Sequence, residues 1–106
     1  MKRGIMDREC IIPDKKINEF FLKVGAKHSD EFFNVGYTPS DGERLKSDIV
    51  RNFSYSRAVE KKTVDGSERF IVYMELGVTR TKRFRTVWQK DTPDSIPRIV
   101  TAYRKE

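Results

Sequence analysis

Apolar residues recur at two different periods along this chain, and the change of period divides it. After Pro13, Ile17, Phe20, Phe21 and Val24 fall at i, i+3, i+4 and i+7, with Lys15, Lys16, Asn18, Glu19 and Lys23 around the remainder. That spacing predicts an amphipathic helix ending near Gly25. A second, shorter helix is predicted from Ser29 as N-cap, through Asp30 and Glu31, to Phe32 and Phe33, with Gly36 as its stop. Lys27 and His28 stand just ahead of it. The S-x-x-E pattern of Ser40 and Glu43 predicts a capping box for a third helix carrying Leu45, Ile49 and Phe53 on one face, with Val50 beside them.

Beyond Phe53 the period becomes two. Residues 55–64 and 68–76 flank Asp65-Gly66, a strong two-residue hairpin pattern, and residues 79–89 and 97–103 form a second pair joined by the polar, proline-bracketed stretch from Lys90 to Pro97. Helices first and strands afterwards predict an α+β fold, with about three N-terminal helices packed on one face of an antiparallel sheet of about four strands. One domain is expected over residues 1–106, helical over about 13–53 and sheet over about 55–104; 106 residues leave room for a single core, and no repeat, linker or low-complexity segment interrupts the chain.

Composition adds an electrostatic bias to this outline. Charged residues make up 36% of the chain and the formal net charge is +6, which favours polyanionic partners. Eight of the cations fall within residues 79–106 against three carboxylates, so that segment carries +5 and the remainder is close to neutral. One cysteine, Cys10, excludes an internal disulfide and a cysteine-rich zinc site, and is expected to be an inert thiol. Neither a signal-length apolar run near the N-terminus nor a stretch of about 18 apolar residues appears, so no membrane association is expected. Such a chain acts in the cytoplasm or is carried out by something else.

The charge centres on Thr81-Lys82-Arg83-Phe84-Arg85-Thr86-Val87-Trp88-Gln89. Alternation sends Phe84, Thr86 and Trp88 one way, and Arg83, Arg85, Val87 and Gln89 the other. With the aromatic side on the helices, the arginines form a plate able to grip phosphate oxygens. On the next strand alternation groups Arg98, Val100, Ala102 and Arg104 against Ile99, Thr101 and Tyr103. The competing expectation is that these arginines solvate an open sheet face and pair with Glu60, Glu68 or Glu75 on adjacent strands. The shortage of carboxylates within the basic segment favours anion binding. His28 is the lone histidine; beside Lys27 and ahead of a helix N-terminus, a neutral imidazole there would suit the general base of a metal-free nuclease. No recognisable metal-ligand set, phosphate-cradling glycine loop or nucleophile elbow is present, so no metal or cofactor is expected.

Four stretches carry a resemblance: Ile12-Pro13-Asp14-Lys15-Lys16-Ile17 with Phe20-Phe21-Leu22, Lys27 to Tyr37, Arg83-Phe84-Arg85-Thr86-Val87-Trp88, and Pro97 to Tyr103. Together they resemble a family of bacterial domains found at the C-terminal tips of polymorphic toxins and in phage-related proteins, grouped with the barnase, EndoU, colicin and RelE-like ribonucleases. The resemblance implies a helix-then-sheet fold, metal-independent cleavage of RNA, often of tRNA, delivery from a larger secreted toxin, and an immunity or antitoxin partner. Carried over by position, it matches Lys16 to the lysine opening the first helix, Arg85 to the arginine before T-V-W, and Thr101 to the threonine near the end; many members have a lysine where this chain has His28. The roles that follow are His28 as base, Arg85 and Arg83 as stabilisers of the phosphorane, and Lys16 or Lys27 as phosphate contacts. Thr101 and Tyr103 would bond the scissile group, and Arg98 would add to substrate binding. Lys16 also reads as helix surface, Thr101 as a strand former, Tyr103 as a core edge and Trp88 as core. The alternative function is a non-catalytic RNA-binding, phage structural or protein-interaction module using the basic face.

Overall fold

The structure, a computed structural model, describes residues 6–105; Met1 to Ile5 and Glu106 lie outside the described residues. Helix α1 (Asp14–Lys16) runs directly into a π-turn (Ile17–Phe21), followed by α2 (Ser29–Phe33), α3 (Gly42–Asn52) and a 3₁₀ turn at Tyr55–Arg57. Strands β1 (Val59–Val64), β2 (Ser67–Leu76), β3 (Lys82–Lys90) and β4 (Arg98–Arg104) then form one antiparallel meander in the order β1-β2-β3-β4. The α+β arrangement expected from the change of period is the one observed, with the helices N-terminal.

The helices cover one face of the sheet. Ile17, Phe21, Phe32, Leu45, Ile49 and Phe53 pack on Phe70, Val72, Met74, Phe84 and Trp88. Ring contacts run through this layer: Phe32 stacks on Phe84 at 4.7 Å, and Phe53 meets Trp88 at 4.4 Å. Thr86 is the polar member of the buried row. Its hydroxyl donates to the Val72 carbonyl at 2.6 Å and accepts from the Trp88 indole N–H at 2.7 Å, so neither polar atom is left unpaired. Cys10 packs against the same core, and burial pushes its thiol up to about 11.

Three local departures from the expected outline matter. First, the amphipathic helix does not reach Gly25. The Leu22 N–H donates to the Ile17 carbonyl at 2.9 Å, an i→i+5 bond that inserts one residue into the turn. The buried set becomes Ile17, Phe21 and Leu22, while Phe20 is 49% and Val24 75% exposed. Second, the capping box at Ser40 does not form. Asp41 occupies the N-cap without capping the helix, and its carboxylate accepts from the Thr38 N–H at 2.7 Å. Leu45, Ile49 and Phe53 are buried as expected; Val50 is 40% exposed. Third, residues 55–57 form a helical turn, so β1 starts at Val59.

The hairpin over Asp65-Gly66 is present, both residues taking positive φ of 51° and 83° as a type I′ turn requires. In the β2–β3 connection Gly77 has φ +156°, and a Cβ there would lie 1.7 Å from the Arg80 carbonyl oxygen. Only glycine fits.

Candidate functional site

Two irregularities in the sheet decide what its open face carries. On β4, Arg85 pairs with Tyr103 and Val87 with Thr101, but Trp88 then faces Ile99 and Gln89 faces Arg98, leaving Val100 as an extra residue. The uninterrupted alternation expected for this strand is therefore corrected. Ile99 and Ala102 both turn inward and are fully buried, while Thr101, Tyr103 and Arg98 share the face of Arg85. On β1, the register slips between Val59 and Lys62, and Glu60 takes φ +52°, the left-handed region that non-glycine residues seldom occupy. The bulge swings Glu60 across to β3, where its carboxylate accepts from Arg85 at 3.4 Å and faces the Tyr73 hydroxyl at 3.5 Å.

The arginine plate is thus more balanced than the charge of its own segment implied. Arg85 meets Glu60, and Arg83 lies opposite Glu75 with its guanidinium 4.4 Å from the Tyr73 ring centroid. Arg98 pairs with Asp91 at 3.2 Å and holds that carboxyl below its ordinary range, with help from Gln89. The carboxylates came from other strands and from the β3–β4 connection. The Arg85 Nε is buried without a hydrogen-bond partner among the described residues, and the guanidinium carbon lies 5.9 Å from the Tyr103 ring centroid.

Beyond Tyr103 the face turns the corner of β4 into a cleft of about 460 Å³. Phe20, Phe21, Lys27, His28, Thr101 and Tyr103 line it. His28 stacks on Tyr103 with centroids 5.2 Å apart, so the tyrosine ring touches His28 and Arg85 alike. The His28 Nδ1 lies 2.5 Å from Glu31 Oε2. A carboxylate accepts only, so Nδ1 is the donor to Glu31 and Nε2 is left outside that contact. Glu31 Oε1 accepts from the Arg104 backbone N–H at 2.7 Å, which ties the histidine to the outer edge of β4. Ile11 covers the other end of that edge, where its carbonyl accepts from the Ile99 N–H at 3.0 Å.

Of the residues singled out in the sequence, His28, Lys27, Thr101 and Tyr103 meet in the cleft, with Arg85 behind Tyr103. Lys16 does not line the cleft, but its Nζ lies 4.9 Å from the ring centroid of Phe20, which does. Arg83 stays on the open face, and Arg98 does not line the cleft. The helix after His28 is five residues long, and Asp30 and Glu31 occupy its first turn, so the imidazole is governed by Glu31 rather than by a helix dipole. Glu31 and Phe20 were missed as site residues in the sequence, whereas Glu60 was named there as a possible partner of the arginines and does pair with Arg85. Glu31 was within reach, since a residue three positions along a helix lies on the same side; the π-turn and the β1 bulge left no comparable pattern. Among the described residues no three side chains of His, Cys, Asp or Glu cluster to hold a metal ion, and no helix is long and apolar enough to cross a membrane.

The class of protein so defined is a helix-then-meander α+β domain with an oriented imidazole in a cleft at one edge of its sheet. The chain belongs to the DUF6883 family, a domain of unknown function whose family model matches residues 6–106. No curated protein and no solved structure matches it.

Proposed function

We propose that the cleft cleaves RNA without a metal ion, by attack of a ribose 2′-OH on the adjacent phosphorus. The observation that carries this reading is the Glu31–His28 pair: Nδ1 held by a carboxylate leaves Nε2 to accept a proton beside the cleft. In that scheme His28 takes the 2′-OH proton, a 2′,3′-cyclic phosphate forms, and the departing 5′-oxygen collects a proton from Lys27 or solvent. Arg85, with its unpartnered Nε, would offset the charge developing on the phosphorane, and the Thr101 and Tyr103 hydroxyls would bond its oxygens. RNA is the substrate class because DNA lacks the attacking hydroxyl.

The test is incubation of the purified chain with total tRNA in EDTA, followed by mapping of the new ends. Cyclic-phosphate ends that disappear in His28→Ala and Arg85→Ala at unchanged melting temperature support the scheme; a requirement for added metal overturns it. The toxin context and an immunity or antitoxin partner belong to this proposal through the sequence resemblance alone. An acidic protein encoded beside the gene that binds the domain and blocks cleavage would support them. The basic open face favours a second reading, salt-sensitive RNA binding without chemistry, which the same incubation separates by the absence of new ends.

A further inference from the structure

The residue that stands out in the cleft is Phe20. Its periodicity in the sequence belongs to the buried face of an amphipathic helix, yet the π-turn at Ile17–Phe21 rotates it outward until 49% of it is exposed. Ile17, Phe21 and Leu22 beside it remain buried at 3% or less, while Val24 of the same apolar face is exposed too but does not line the cleft. The π-turn thus brings an aromatic ring to the cleft surface, and such turns are frequent at functional sites.

Its surroundings have the chemistry of a ligand site. The Phe20 ring lines the cleft together with the stacked His28–Tyr103 pair and Thr101, and no carboxylate lines the cavity. Glu31 does not line the cleft and is engaged by His28 and the Arg104 N–H. Lys27 stands in the wall, and the Lys16 ammonium lies over the ring of Phe20. The volume of about 460 Å³ falls within the range of small-ligand pockets and admits a base with its ribose. A flat aromatic ligand joined to phosphate satisfies all of these features together; an apolar peptide side chain would leave the two lysines and the threonine unmatched.

We propose that this cleft is a nucleobase-stacking subsite in which the Phe20 ring holds one unpaired base of a single-stranded RNA beside the His28–Tyr103 pair, with Lys16 and Lys27 on the flanking phosphates. The subsite deepens the ribonuclease reading and rests on it for the choice of RNA, but its measurement needs no cleavage. Stacking of one base on an aromatic ring changes affinity by roughly tenfold or more when the ring is removed.

The probe is a short single-stranded RNA carrying one 2-aminopurine, with a 2′-deoxy sugar at that nucleotide to prevent cleavage there, compared with an abasic RNA of equal length. Wild-type protein is expected to quench the 2-aminopurine and to bind the base-containing probe about tenfold more tightly than the abasic one. Phe20→Ala should abolish both effects, and Phe20→Trp should restore them. Because Phe20 is half exposed the melting temperature should hold; Phe20→Leu serves as the ring-free variant if Phe20→Ala does not fold. Equal binding of the two RNAs, binding of neither, or quenching that survives loss of the ring overturns the subsite. Cleavage of tRNA that proceeds without regard to Phe20 would leave the ribonuclease reading intact while the subsite falls. Stacking without any cleavage would do the reverse.

Discussion

Toward the helices, Phe84, Thr86 and Trp88 of β3 are completely buried; one residue along, Arg83, Arg85, Val87 and Gln89 of the same strand retain exposure on the open face. The first row is held by volume and by one closed hydrogen-bond chain from Trp88 through Thr86 to Val72. The second is held by partners recruited from far away: Glu60 from a strained bulge in β1, Tyr73 from β2, Tyr103 from β4. The difference teaches that the buried face specifies the fold, while the open face can change its pairings at small cost. Binding sites are built on the second kind of surface, because charge–aromatic and surface ion-pair contacts are each worth little and exchange readily for a ligand's.

The largest test of the contrast is Trp88→Ala. It removes the indole from the Phe53 contact and the N–H that the Thr86 hydroxyl accepts, and should cost about 3–5 kcal/mol by chemical denaturation. Arg83→Ala, one face away, should fall within about 1 kcal/mol. Equal losses would erase the distinction between the faces.

His28→Ala should leave stability nearly unchanged and lower RNA cleavage by about 10²- to 10⁴-fold, the usual weight of one general base. A matching loss of melting temperature would move His28 from the chemistry to the scaffold.

Glu60→Gln releases Arg85 from its ion pair and should strengthen binding of a non-cleavable RNA by a few-fold. A surface pair is worth about 0.2–1 kcal/mol, so the gain should not exceed roughly fivefold. Weaker binding would mean that Glu60 orients Arg85 rather than competing for it.

The smallest effect concerns Asp91, whose folded-state pKa lies below its ordinary 3.8 because Arg98 and Gln89 donate to it. A lowered carboxylate contributes stability that is present above the ordinary value and is lost as pH falls through the folded value. The expected window is therefore below about pH 4. In Arg98→Ala the Asp91 titration followed by NMR should move up toward 3.8; an unmoved titration would remove Arg98 as the cause.

The chain's periodicities alone determined the order of elements, the type I′ hairpin at Asp65-Gly66 and the inward row Phe84, Thr86, Trp88. These features follow from local φ/ψ preferences and from the period of two in a strand. The residue chemistry of the chain, together with the family resemblance, placed His28, Lys27, Arg85, Thr101 and Tyr103 among the candidates. The tertiary structure decided which of these meet. The extra residue at Val100 turns Thr101 and Tyr103 to the Arg85 face, and the bulge at Glu60 supplies the arginine's counter-charge. The i→i+5 bond from Leu22 to Ile17 takes Phe20 out of the core. Each is a one-residue slip that no hydrophobic pattern records, because its energy comes from contacts between segments rather than within them. The cleft at the edge of β4 exists only through those slips and the Glu31 bridge between His28 and Arg104.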